Sequence, residues 1–176
     1  MLKHALIDNR FYWEDLNEKN NRYIKQFIEK SIDIKHRITE EDPLENNVRI
    51  ALNLGHTIGH AIESWYAQNN LDILHGEAVA IGIICECFIN LNNGFPDEDL
   101  KNIIQNLITF TPENNYTEND VDAIAKYCKK DKKNNKQNIR IVWLKEIGKI
   151  HENLFVEVAE SEIKTALSFY LSFKNQ

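Results

Sequence analysis

Residues 78–91 carry Gly82, Ile83, Ile84, Phe88, Ile89 and Leu91 among few charges. A segment apolar nearly all round a helix predicts a central helix, buried on every side. Elsewhere apolar positions recur at helical spacing on one face only. Leu2, Leu6 and Ile7, then Tyr23, Ile24, Phe27, Ile28 and Ile32, predict two helices within residues 1–35. After a Gly94-Phe95-Pro96 turn, Leu100, Ile103, Ile104, Leu107 and Ile108 predict a helix over 97–108. Val121, Ile124, Ala125 and Cys128 predict another over 117–130, with Thr117 as cap and Asp120 completing a capping box. A last amphipathic helix is predicted over 161–173, with Ser161 as cap and Lys164 at its third position. Strand character enters late, at Ile139 to Leu144 and again at Leu154 to Val158, with a turn near Gly148. His151 falls in the polar stretch between them and is read as structural. The pattern as a whole predicts a mainly α fold, a compact single domain over residues 1–176 with about seven helices and one short β-hairpin.

Within residues 49–77 the polar positions carry the chemistry. Arg49, Asn53, His56, His60 and Glu63 follow one another at helical intervals inside an apolar run. At about 3.6 residues per turn they fall on one stripe of a single helix. Ile50, Leu52, Leu54, Ile58, Ala61, Ile62 and Trp65 take the other faces, so the seam is expected to be largely buried. Two imidazoles, an amide, a guanidinium and a carboxylate are costly to bury unless a ligand satisfies them. Gly55 and Gly59, each roughly 1 kcal/mol worse than alanine inside a helix, imply a close backbone approach. His75 is expected at a helix N-terminus facing this seam. His56, His60 and His75 are then the material of a zinc-type site, which in catalytic centres takes three protein ligands and leaves a position open. Thr57 stands where a H-E-x-x-H protease has its glutamate, which excludes that chemistry.

Composition narrows the setting. At 176 residues, 43% hydrophobic and 27% charged, the chain fits one soluble globular domain. A net charge of −6 argues against a nucleic-acid surface. No apolar run reaches the roughly 18–20 residues of a membrane span, and the apolar start ends at Asp8, too short for a signal peptide. The default location is cytoplasmic. Cys85, Cys87 and Cys128 lack metal-ligand spacing and read as reduced, buried thiols.

Residues 36–48 are polar and read as a loop, with Pro43 disfavouring helix at Asp42. Residues 129–136 form a basic run, Lys129-Lys130-Asp131-Lys132-Lys133-Asn134-Asn135-Lys136, of the kind that usually makes a solvated face. Leu2 already belongs to an apolar pattern with no capping residue before it, so the chain is expected to begin inside an element. No strand followed by Gly-x-Gly-x-x-Gly occurs, and no dinucleotide fold is expected within these residues.

Asn53-Leu54-Gly55-His56-Thr57-Ile58-Gly59-His60-Ala61-Ile62-Glu63, followed by Leu74-His75-Gly76-Glu77-Ala78-Val79-Ala80-Ile81-Gly82, closely resembles the signature of the 3-dehydroquinate synthases. The resemblance covers nearly all of this chain but only the C-terminal half of such an enzyme, whose nucleotide-binding domain precedes a helical metal-binding domain. It implies a lyase of the shikimate pathway that converts 3-deoxy-arabino-heptulosonate 7-phosphate to 3-dehydroquinate and phosphate, with NAD recycled and zinc or cobalt bound. It further implies His56 and His75 as metal ligands, His60 as a proton-transfer residue and Glu45 as a site glutamate. Lys3, Lys35, Arg49, Asn53 and Lys132 or Lys133 would contact substrate and phosphate. Met1-Leu2-Lys3-His4 resembles the end of the family's Glu-x-x-Lys-His stretch, whose glutamate, a third ligand, would precede Met1. The family has a glycine where Asn47 stands, and asparagine tolerates the left-handed backbone a glycine turn needs. No residue of this chain is expected to bind NAD itself; a nucleotide-binding domain in cis or trans would do so, in a homodimer when complete. Alternatives are a related sugar-phosphate cyclase, a metal-dependent polyol dehydrogenase, which needs no phosphate-binding set, or a non-catalytic split or truncated module.

Overall fold

Helix α4, His75–Asn90, is buried along most of its length. In the computed structural model, which describes residues 2–10, 12–14, 24–112, 116–129 and 138–174, the chain wraps around it. Helix α1 is Leu2–Asp8, α2 Ile24–Glu41, α3 His56–Gln68, α5 Asp97–Leu107, α6 Val121–Cys128 and α7 Glu160–Lys174. Strands β1, Ile139–Glu146, and β2, Lys149–Val158, form an antiparallel pair. Helix α4 packs against α3, α5, α7 and β1, while α6 lies across α3 and α7. The mainly helical plan with one hairpin is the one the hydrophobic pattern predicts.

Glycine sets the closest helix contact. A Cβ on Gly82 of α4 would fall well inside contact distance of the Gly55 carbonyl, and one on Gly59 would lie 3.2 Å from Ala78 O. The close approach expected of Gly55 and Gly59 is therefore present, and Gly82 completes it from the other side.

Several local expectations are corrected. Residues 49–65 are not one helix: a 3-10 turn over Val48–Asn53 gives way at Leu54, and Gly55, at φ +77°, turns the chain into α3. Gly55 therefore serves as a left-handed hinge, a conformation open to glycine without steric cost. Residues 36–41 of the supposed loop are the last third of α2, which ends at Glu41, next to the Asp42-Pro43 pair. Its polar sequence reflects exposure, since Phe27, Ser31, Ile34 and Ile38 face inward. Ile24, Ile28 and Ile32, read from the sequence as inward-facing, lie on the exposed side.

Asn47 is not left-handed, at φ −142°; Glu45 is, at φ +57°. The Asp42 carboxylate shapes this turn by accepting the amides of Asn46, Asn47 and Arg49. Helix α3 continues through Tyr66 to Gln68, shortening the connection before His75. Residues 118–120 form a 3-10 turn ahead of α6, and Thr117 is its N-cap in the capping box the sequence predicts, with both its amide and its hydroxyl donating to Asp120 Oδ2. Helix α7 starts at Glu160; its acid Glu162 accepts the Ala159 amide, displacing Ser161 as the cap. His151 sits within β2 and stacks on Trp143, with centroids 3.6 Å apart.

Candidate metal and anion site

The bend at Leu54–Gly55 brings the 3-10 turn and the first turn of α3 to the rim of one cavity of about 500 Å³. Glu45, Asn53, His56, Thr57 and His60 line one side, and Arg140, Val142 and Phe155 of the hairpin line the other. A second hollow of about 590 Å³ is lined by Lys3, His56, His75, Leu74 and Phe110. His56 belongs to both walls. The polar stripe read from the sequence is thus the edge of open space, and a buried seam is not what the structure holds: His60 and His75 are exposed, while His56 and Glu63 are half-buried.

Three imidazoles meet there. Ring centroids of His56 and His75 lie 5.3 Å apart, those of His56 and His60 5.3 Å, and those of His60 and His75 5.9 Å. His75 opens α4, as its sequence position predicts. Hydrogen bonds assign the tautomers, because a carbonyl or carboxylate oxygen can only accept. His56 Nδ1 lies 3.1 Å from Leu54 O and His75 Nδ1 lies 3.0 Å from Glu63 Oε1. Each ring therefore donates from Nδ1, and in the neutral form its lone pair lies on Nε2. Lys3 Nζ, bonded to Leu52 O at 2.6 Å, points its other contact at His56 Nε2 at 3.4 Å. Oxygen acceptors behind the ring are how metal-binding histidines are oriented, so the donor chemistry of His56 and His75 fits a zinc- or cobalt-type ion. Ligand atoms of His60, Glu63 and His75 also lie within 4.8 Å of one another.

Electrostatics reinforce the neutral imidazole. Burial, then the nearby Lys3 ammonium, pulls His56 down to about 4. Lys3 itself is drawn down to about 8 by burial and by Lys35, with Glu86 opposing. His56 is therefore neutral near neutral pH, while Lys3 still holds its proton there but gives it up more readily than an ordinary lysine.

The remaining residues singled out by the sequence divide. Asn53 donates to Glu45 Oε1 at 2.6 Å, and both face the first cavity. Lys35 is exposed on α2, close enough to Lys3 to act on it. Arg49 turns its guanidinium to Pro43 O at 2.9 Å. Lys132 and Lys133 lie outside the described residues. Glu63 stood on the polar stripe read from the sequence but was given no role there, while Arg140 and Glu86 were not read from it as site residues. Glu63 holds His75. Arg140, paired with Glu157 at 3.1 Å and set over the Phe155 ring, enters the cavity wall from β1. Glu86 reaches the start of α3 from inside α4. Arg140 carried no signal beyond strand alternation; Glu86 carried one, as the single acid within the apolar segment 78–91.

Fold and site together define a helical domain that presents a cluster of imidazoles at the rim of two cavities. Residues 1–134 match the family described as 3-dehydroquinate synthase C-terminal. The chain belongs to that family. It is 35% identical over 176 residues to a 3-dehydroquinate synthase of Parabacteroides distasonis, covering 97% of this chain and 49% of that protein. It is 38% identical over 167 residues to one from a Thermoanaerobacter species, covering 92% and 44%. The chain spans about half the length of these curated relatives. A crystal structure of 2-deoxy-scyllo-inosose synthase complexed with carbaglucose-6-phosphate, NAD+ and Co2+ superposes with a TM-score of 0.74 at 27% identity, covering 94% of this chain and 48% of that one. Among the described residues no helix is long and apolar enough to cross a membrane.

Proposed function

We propose that this chain, as one domain over residues 1–176, is the metal- and substrate-binding half of a 3-dehydroquinate synthase. In this reading it acts with a nucleotide-binding half that carries NAD, as a cytoplasmic lyase of the shikimate pathway and as a homodimer when complete. Its substrate is 3-deoxy-arabino-heptulosonate 7-phosphate, and its products are 3-dehydroquinate and phosphate. The observation that carries the reading is the pair His56 and His75, each tied through Nδ1 to an oxygen, which leaves Nε2 as the nitrogen able to bind an ion. Their place in the matched segment adds to it.

Zinc or cobalt held by His56 and His75 would polarise substrate hydroxyls when bound. The chain's own residues do the rest. Lys3, drawn down to about 8, can hold or release a proton beside His56 near neutral pH. His60, one turn beyond a ligand and open to solvent, is placed to move a proton at the substrate's edge. Asn53 and Glu45 would orient substrate hydroxyls or phosphate oxygens in the first cavity. Lys35, Arg49 and Lys132 or Lys133 supply positive charge for the phosphate, which stabilises the charge that develops as it departs.

A related sugar-phosphate cyclase is the second reading, favoured by the likeness to 2-deoxy-scyllo-inosose synthase. Phosphate release separates the two. The chain, mixed or fused with a nucleotide-binding half and supplied with NAD and zinc or cobalt, should act on the heptulosonate phosphate and not on a hexose 6-phosphate. Preference for the hexose phosphate would replace the first reading with the second. Turnover undiminished in His56→Ala would remove both.

A further inference from the structure

Glu86 is fully buried in the middle of α4, between Cys85 and Cys87. A carboxyl group in such surroundings is expensive, and the packing of an apolar helix does not ask for one. Its Oε2 accepts the Gly55 amide at 2.9 Å, and the amides of Thr57 and Ile58 act on it as well. These are the orphan N–H groups at the start of α3. Gly55 has no side chain to cap them, so the cap arrives from another helix.

The same junction ties in the hairpin. Thr57 donates its hydroxyl to Arg140 O at 2.9 Å, and Asn90, one turn beyond Glu86, donates to Val142 O at 3.0 Å. Gly55 lies between the turn that carries Asn53 and the helix that carries His56 and His60. Whatever holds its amide sets the angle between those two pieces. His56 depends on it directly, because its ring is fixed by Leu54 O, on the residue just before Gly55.

We infer that Glu86 is a positioning residue for the imidazole site: its carboxyl group holds the Gly55 hinge and thereby places His56. The inference rests on the reading of His56 as a metal ligand. Glu86→Gln keeps an acceptor for the Gly55 amide, whereas Glu86→Met keeps the volume and loses the acceptor. With all proteins held well below their melting temperatures, cobalt affinity should stay near wild type in Glu86→Gln and fall about tenfold in Glu86→Met, the lower end of what outer partners of metal ligands contribute. The His56 Nδ1–H resonance should persist in the first and shift or broaden in the second.

A folded Glu86→Met protein with unchanged cobalt affinity and an unchanged His56 resonance would overturn the inference, leaving Glu86 a stability residue. Should Glu86→Met fail to fold, Glu86→Ser, which leaves room for water at the Gly55 amide, carries the same test. Failure of both to fold would equally assign Glu86 to stability. His56→Ala is the control for the underlying reading. If cobalt binds it as it binds wild type, the ligand assignment fails, and the His56 resonance in the Glu86 variants alone decides placement.

Discussion

Glu63 Oε1 lies 3.0 Å from His75 Nδ1, joining the second turn of α3 to the first residue of α4. The bond fixes which imidazole nitrogen carries the proton, and so which nitrogen can bind an ion. Glu63→Ala should weaken cobalt binding by about ten- to a hundredfold, measured by calorimetry or by the visible absorption of the bound ion. Glu63→Gln keeps an oxygen acceptor and should recover most of that loss. Equal loss in both variants would mean that Glu63 acts by charge or as a ligand itself, alongside His60 and His75.

Gly82 is the position where α4 can least accept a side chain, since any Cβ there meets the carbonyl of Gly55. Overpacking typically costs 1–3 kcal/mol, and more where backbone must move. Gly82→Ala is therefore expected to destabilise the chain by about 3 kcal/mol, read from urea midpoints. Gly76→Ala is the comparison, because a Cβ at Gly76 meets nothing within 4 Å. A Gly82→Ala midpoint equal to that of Gly76→Ala would mean that α3 and α4 do not touch as closely as described.

Much of this was legible in the sequence because one-face apolar periodicity reports burial directly. The central helix, the amphipathic helices and the hairpin followed from it, as did His75 at a helix start. The imidazole cluster was legible from spacing, though its stripe was drawn on one straight helix. Periodicity has no sign for a hinge: Gly55 at φ +77° changes the path without breaking the pattern on either side. The α2 face was misread because Ile24, Ile28 and Ile32 form an apolar stripe as regular as the buried one through Phe27, Ile34 and Ile38. Contacts between distant elements had no local trace. Arg140 reaches the cavity by strand pairing, and Glu86 caps a helix whose N-cap, Gly55, stands 31 positions earlier.

Half-buried His4 and fully buried Glu86 give opposite pH dependences, and variants can separate them. His4, with Nδ1 2.6 Å from Ser31 Oγ, is drawn down to about 4 from an ordinary 6.5, chiefly by burial, with positive charge on Lys3 and Lys35 adding to it. The fold thus favours neutral His4. Its contribution is complete above about 6.5 and is lost as pH falls toward about 4. Glu86 is pushed up to about 8 from an ordinary 4.5 by burial, against the pull of the Gly55, Ile58, Thr57 and Val142 amides. The fold favours the protonated carboxyl, so that contribution is complete below about 4.5 and is lost as pH rises toward about 8. Urea midpoints taken from pH 4 to pH 8.5 should fall at both ends for the wild type. His4→Asn should flatten the acid limb and leave the alkaline limb in place. Glu86→Gln, which has no proton to lose, should gain on the wild type steadily as pH rises from 4.5 to 8. A Glu86→Gln curve parallel to wild type across that window would mean that the Glu86 carboxyl titrates in the folded chain as it does in water, which its full burial in α4 does not allow.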